Sequence, residues 1–378
     1  MVVLFWLLVA IIFYTYFGYP LVTLIVSLFV ERKVARADIE PSITFLITAY
    51  NEEKGIKAKL EDTIALDYPK DKLEILVASD ASSDNTDNIV QGFQDKRVRL
   101  FRVEGRVGKT ETQNQAVKTA KGEIIIFSDA TTKYEKSAIR KIVRNYADPQ
   151  VGAVSGRYKY FDLNNTQTGT GSIAFWDYEN FIKARQTRIR TITGCCGCIY
   201  SVRKNLYVKL PGDIISDLVE PLKILEQGYR IVFEPEALAY ETTCQKSEEE
   251  FRMRVRVISR GMQGILYMKH LLNPFKYGFI AFQLISHKVL RWLIPLFLLT
   301  LYITSILLLN KNLLYKIAFL LQTLFYLSAL IGFLMDFLTK KVKIFSLPLY
   351  FCVLNIASAI ALIKTSMKRK SVTWQTAR

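Results

Sequence analysis

Residues 123–132 read Glu-Ile-Ile-Ile-Phe-Ser-Asp-Ala-Thr-Thr. Four apolar residues, Ile124 to Phe127, run directly into Ser128 and Asp129. A short unbroken apolar run ending in polar residues is the pattern of a buried parallel strand. Ligands of open α/β sheets bind beyond the carboxyl ends of such strands, which is where this pattern puts Asp129. Two other runs repeat the arrangement: Leu73 to Ser79 ends at Asp80, and Ile43 to Ile47 ends in Thr48-Ala49-Tyr50-Asn51-Glu52. Three runs at βα spacing that each deliver polar groups define one sheet edge as a site. The stretches Glu53 to Leu66 and Thr110 to Ala120 between them have amphipathic helical spacing. Residues 38–270 are therefore expected to form an α/β domain with a parallel sheet.

The flanks have a different composition. Residues 2–30 are almost wholly apolar and then meet Glu31-Arg32-Lys33. A bilayer span takes about 20 apolar residues, and this run is too long for a signal-peptide core, so residues 1–33 are expected to be a retained transmembrane helix. Residues 289–367 hold three more candidates, Val289–Leu309, Leu314–Leu338 and Phe345–Leu362. Residues 271–288, which mix aromatic and basic side chains, suit an interfacial segment, and residues 368–378 form a basic tail. The formal charge of +17 combined with 51% hydrophobic residues fits a membrane protein whose basic surfaces face anionic lipid. The long apolar segments weigh against nucleic-acid binding. Arg32, Lys33 and Arg36 put the α/β domain in the cytoplasm by the positive-inside rule. One span before and three after would put the tail outside, whereas Lys368, Arg369 and Lys370 favour the inside. The side of the C-terminus stays open. The five cysteines include Cys195-Cys196-Gly197-Cys198. With no matching second cluster, this reads as small residues lining a tight turn.

The polar exits lie within longer motifs. In order they are Thr48-Ala49-Tyr50-Asn51-Glu52-Glu53, Val77-Ala78-Ser79-Asp80, Arg106-Val107-Gly108-Lys109, Asp129-Ala130-Thr131, Phe175-Trp176-Asp177-Tyr178-Glu179, Thr193-Gly194-Cys195-Cys196-Gly197, Ile215-Ser216-Asp217 and Arg252-Met253-Arg254-Val255-Arg256-Val257. As a set, over residues 43–270, they resemble membrane-bound family 2 glycosyltransferases with a GT-A domain. The flanking helices are similar to the layout of the cellulose, hyaluronan and chitin synthase-like group. The resemblance implies an α/β GT-A fold, with a Rossmann-like, mostly parallel sheet flanked by transmembrane helices.

It also implies roles. Thr48, Tyr50 and Glu52 would border the nucleotide, and Asp80 would accept the imide N–H of the donor base, usually uracil. Gly108 and Lys109 would lie near the diphosphate. Asp129 would bind a divalent metal, Mg²⁺ or Mn²⁺, with Thr131 where the family has its second Asp. Asp217 would be the general base, with Ser216 in place of the first acid of that pair. Trp176, Glu179 and Gly194 would face the acceptor. Arg256 would meet the leaving diphosphate in a motif where Met253 replaces Gln and Val257 replaces Trp. The implied reaction is inverting transfer from a nucleotide-diphosphate sugar, most often a UDP-sugar. The acceptor is either a growing polysaccharide at the membrane or a lipid-linked sugar. A catalytically inactive membrane scaffold is the reading that the missing Asp and Trp favour. A transporter has too few helices here, with Asp336 the one acid inside a candidate span.

Overall fold

The computed structural model describes residues 1–162, 167–243, 247–338 and 342–367. Cys244, the loop lysines Lys340 and Lys341, and the basic tail 368–378 lie outside the described residues. The chain divides into two compact units. One comprises Ser27–Lys159 and Glu179–Glu241, and the other Met1–Val26, Tyr160–Tyr178 and the residues from Thr242 onward. The division differs from the 38–270 expected of a single domain. Residues 160–178 and 242–270 belong with the apolar helices, because the amphipathic helix Ser247–Tyr267 buries Val255, Ile258 and Met262 against Ala357 and Ala361.

The first unit holds an eight-stranded sheet in the order β3-β2-β1-β4-β7-β6-β8-β5. The strands are β1 Ile43–Ala49, β2 Leu73–Ser79, β3 Val98–Arg102, β4 Ile124–Asp129, β5 Lys133–Tyr134, β6 Val151–Phe161, β7 Tyr200–Arg203 and β8 Arg230–Thr242. Strands β3, β2, β1 and β4 run parallel, and every residue of β1 is buried, as the unbroken apolar runs predict. Register then sets the site: Ala49 pairs with Ser79 and Thr48 with Asp129, so three strand ends finish level. Beyond β4 the order changes. Strand β7 is antiparallel to both β4 and β6, and β5 is antiparallel to β8, which makes the sheet mixed. Phe127 of β4 stacks on Tyr200 of β7 with ring centroids 4.6 Å apart, closing the core across this junction.

Among the described residues, four helices are long and apolar enough to cross a membrane: Val2–Phe29, of which residues 2–26 belong to the other unit, and Phe279–Leu307, Leu313–Asp336 and Lys343–Ser366, which lie wholly in it. The helical path runs on from Phe279 through Leu307, so the second begins about ten residues before the expected Val289, and the start of the expected interfacial stretch holds the 3-10 turn Lys269–Leu272 and the short helix Pro274–Tyr277. Leucines such as Leu299, Leu320, Leu321 and Leu347 stay exposed along these helices, as lipid-facing surfaces require. Arg254 is buried and pairs with Glu250 at 2.8 Å, and its guanidinium donates to the Tyr350 hydroxyl at 2.7 Å. This pair ties the helix Ser247–Tyr267 to the last apolar helix. Removing one partner would strand a buried charge, which is the costly way to break such a pair.

Candidate active site

The site forms at the level ends of β1, β2 and β4. Asp80 follows β2 and is fully buried. Its carboxylate accepts from Val107 N at 2.8 Å, from Gly108 N at 3.0 Å and from Thr112 Oγ1 at 3.1 Å. Asp80 therefore fixes the Arg106–Gly108 loop, the stretch expected to approach the donor. Gly108 takes φ +88°, a backbone region that L side chains avoid, and caps the helix Lys109–Thr119. The Arg106 guanidinium lies 3.6 Å from the centre of the Tyr50 ring, a cation–π stack that joins the β1 exit to this loop. Thr48 is buried and accepts from Gln113 Nε2 at 3.3 Å, and Glu52 N donates to Thr86 Oγ1 at 2.7 Å. Asn51 and Ala81, the turning residues after β1 and β2, both have positive φ, at 54° and 56°. Strained backbone of this kind concentrates where a chain must turn sharply at a functional edge.

The next charges belong to Asp129, Lys109 and Asp217. The Lys109 ammonium donates to Asp129 Oδ1. Burial alone would lower the Lys109 pKa, but the charges of Asp129 and then Asp217 outweigh it and hold the pKa above the ordinary lysine value. Asp217 lies in the first turn of the helix Ser216–Glu226. The loop ahead of it is pinned by the helix Lys109–Thr119: Thr110 Oγ1 donates to Ile214 O at 2.6 Å, and buried Asn114 donates to Leu210 O at 2.7 Å and accepts from Leu210 N at 3.1 Å. One helix thus positions both the loop below Asp80 and the approach to Asp217. The 194–198 turn closes the other side. Cys195 N donates to the Asp217 carbonyl at 2.9 Å. A Cβ built on Gly197 would fall 2.6 Å from Asp217 Oδ2, so no larger residue fits without moving that carboxylate. Gly194 borders the same turn, its built Cβ 3.1 Å from Leu218.

Of the predicted residues, Thr48, Tyr50, Glu52, Asp80, Gly108, Lys109, Asp129, Glu179, Gly194 and Asp217 lie in the sheet unit. Glu179 is buried there. Trp176 and Arg256 lie in the other unit, where Trp176 is half-buried between Phe175 and Tyr160, at centroid distances of 5.9 and 6.4 Å.

Two residues escaped the sequence reading. Glu241, near the end of β8, accepts from Thr131 Oγ1 at 2.7 Å and also from the Tyr158 hydroxyl. A carboxylate from a distant strand thus stands on Thr131, the residue expected where the resembled family has its second Asp. Lys59 is buried behind β4, donates to Ser128 Oγ at 2.8 Å and Thr132 O at 2.5 Å, and lies over the rings of Phe45 and Tyr134. It braces both sides of the Asp129 turn, and burial pushes its pKa down to about 7. Neither shows in a local motif, because both contacts span many residues of sequence. Among the described residues, no group of three or more His, Cys, Asp or Glu side chains is placed to hold a metal ion.

Residues 44–210 match the family model described as glycosyl transferase family 2. A poly-beta-1,6-N-acetyl-D-glucosamine synthase of Staphylococcus aureus is 28% identical over 233 residues, 59% of this chain and 55% of that protein. A probable glycosyltransferase of Bacillus subtilis, YdaM, is 29% identical over 250 residues, 62% of this chain and 58% of that one. The chain thus matches a little over half the length of these curated relatives. Among solved structures, a mannosyltransferase from Pyrobaculum calidifontis in complex with GDP-Man and Mn2+ superposes with a TM-score of 0.73 at 21% identity, covering 97% of this chain and 99% of that one. This last likeness establishes the GT-A-type fold together with its flanking helices.

Proposed function

We propose that the chain, whose residues 44–210 match the glycosyl transferase family 2 model, is an inverting glycosyltransferase. It moves a sugar from a nucleotide-diphosphate donor to a growing polysaccharide at the membrane. The observation that carries this reading is the Lys109–Asp129 ion pair at the strand ends, on the same helix that pins the loop ahead of Asp217. One cation at a glycine-capped helix start, paired with Asp129, then serves the donor diphosphate.

Asp217 takes the proton from the acceptor hydroxyl as the new carbon–oxygen bond forms. Lys109 offsets the charge that develops on the departing diphosphate. Arg256 is assigned to that diphosphate by its sequence motif alone, and Trp176 and Glu179 are assigned to the acceptor in the same way. A divalent ion fits the oxygen donors present. Mg²⁺ and Mn²⁺ are hard cations that take one or two carboxylates and complete their shells with substrate phosphates and water. Asp129, with Glu241 on Thr131, would hold it, and when bound it neutralises diphosphate charge. The donor is read as a UDP-sugar, with a GDP-sugar, the ligand of the Pyrobaculum enzyme, as the second reading.

The test is incubation of membranes with labelled UDP- and GDP-sugars, measuring labelled polymer and lipid products with and without EDTA. Polymer from one donor, lost in EDTA and restored by Mg²⁺ or Mn²⁺, is the expected result. A lipid-soluble product would move the acceptor to the lipid-linked class. Release of nucleotide from neither donor would favour the inactive scaffold, and full activity in chelator would mark the Thr131 site as metal-independent. The cytoplasmic placement proposed from Arg32, Lys33 and Arg36 is read out by an impermeant thiol label on cysteines introduced at loop positions, which should leave residues 38–270 unmodified in intact cells.

Asp80 carries a separate prediction. Its carboxylate organises the loop beneath the donor, so Asp80→Ala should weaken nucleotide binding by about 1–3 kcal/mol, the scale of a lost charged hydrogen bond. Calorimetry with UDP and GDP measures this, and unchanged affinity for both would take Asp80 out of the site.

A further inference from the structure

The turn that holds Asp217 in place contains two thiols in contact. Cys196 Sγ and Cys198 Sγ lie 3.3 Å apart, both side chains are buried, and neither is in a disulfide. The residue between them is Gly197, on which a Cβ would press to 2.6 Å from Asp217 Oδ2. The turn is otherwise held by its backbone. Cys196 N donates to Ser155 Oγ at 3.2 Å, Ile199 N donates to Cys196 O at 3.0 Å, and the Tyr134 hydroxyl donates to Cys198 O at 2.7 Å. Drawing the two sulfurs from 3.3 Å to the roughly 2 Å of a disulfide bond has to be absorbed between these anchors. Gly197, without a side chain, is the residue that can absorb it.

We propose that Cys196 and Cys198 form a reversible disulfide site whose closure displaces Gly197 against Asp217 and switches off sugar transfer. The second part rests on the function proposed above; the disulfide site itself does not. The oxidant is a peroxide, small enough to reach a buried pair. The Cys196 thiolate attacks a peroxide oxygen, giving a sulfenic acid and releasing water once the leaving hydroxide is protonated. Cys198 sulfur then attacks the Cys196 sulfur and expels the hydroxyl as a second water. Two thiols and one hydrogen peroxide become one disulfide and two waters, and a dithiol reductant reverses the exchange. The electrostatics suit this order. The hydrogen bond from Cys198 lowers Cys196 below the ordinary thiol range, while burial raises Cys198 well above it. Cys196 is thus the more readily ionised sulfur of the pair, with Cys198 placed 3.3 Å away to resolve it.

The test uses the full chain in detergent, treated with hydrogen peroxide and then dithiothreitol. Peptide mapping by mass spectrometry should find a loss of two hydrogens confined to a peptide bridged between Cys196 and Cys198, and the bridge should open in dithiothreitol. Transfer should fall at least ten-fold on oxidation and recover on reduction, with nucleotide affinity unchanged. Cys198→Ser and Cys196→Ser should each transfer sugar in both conditions. A bridge through Cys195 instead, or no bridge at peroxide levels that sulfenylate exposed thiols, overturns the site. A mapped 196–198 bridge with transfer undiminished overturns the switch. Reduced protein that transfers no sugar while the bridge forms and opens refutes the proposed function and supports the disulfide site.

Discussion

Asp217→Asn should lower sugar transfer by about 10²–10⁴-fold, the range of a lost general base, and leave donor affinity close to that of the native protein. The amide keeps the shape of the carboxylate and so keeps its fit beneath Gly197, where 2.6 Å separates a built Cβ from Asp217 Oδ2. It does not accept the acceptor proton. The effect should fall on kcat, because a residue that only bound substrate would raise KM. Lys109 keeps its direct partner Asp129 in the variant, so the diphosphate side is preserved. Steady-state kinetics at saturating donor, with calorimetric nucleotide affinity alongside, make the measurement. A variant with native turnover requires another base. Glu220, three residues on, and Glu179 are the next acids to test, and both are buried in this structure.

The parallel half of the sheet was legible because its signal is local. An unbroken apolar run such as Ile124–Phe127 has one good solution, a strand buried on both faces, and the polar residue that ends it faces the ligand edge. Register then brings Thr48 level with Asp129, which the equal spacing of the runs foreshadows. The antiparallel half was not legible. Strand β7, Tyr200–Arg203, is four residues long and alternates polar with apolar, too brief to assign a direction. Its place beside β4 is decided by packing, chiefly Phe127 on Tyr200. The roles of Glu241 and Lys59 were hidden for a related reason. Thr131 with Glu241 spans 110 residues and Lys59 with Ser128 spans 69, so no motif contains either pair. The Cys195–Cys198 run was read as small residues in a tight turn, and a turn it is. Its position against Asp217 comes from a close backbone approach that composition does not encode.

The second large effect concerns Glu220 and pH. This residue is fully buried in the helix that carries Asp217. Oε1 accepts from Val208 N at 3.0 Å, while Oε2 has no hydrogen-bond partner. Burial raises the carboxyl to about 8; the Val208 hydrogen bond and Lys223 lower it only in part. The folded protein thus keeps this proton up to about pH 8, whereas the unfolded chain releases it near the ordinary glutamate value, about 4.3. Between those values the native state binds more protons than the unfolded one, so stability falls as pH rises. The contribution is complete below the unfolded value and is lost as pH climbs through about 8, an amount on the order of 4–5 kcal/mol at roughly 1.4 kcal/mol per pH unit. Glu220→Gln keeps an oxygen for Val208 N and carries no titratable proton. It should match the native protein near pH 4.5 and unfold several kcal/mol less readily at pH 8–9. Thermal or urea unfolding of the detergent-solubilised chain from pH 4.5 to pH 9 reads the difference as two curves that diverge with rising pH. Parallel curves would mean that Glu220 is already ionised in the fold, with a cation or water on Oε2.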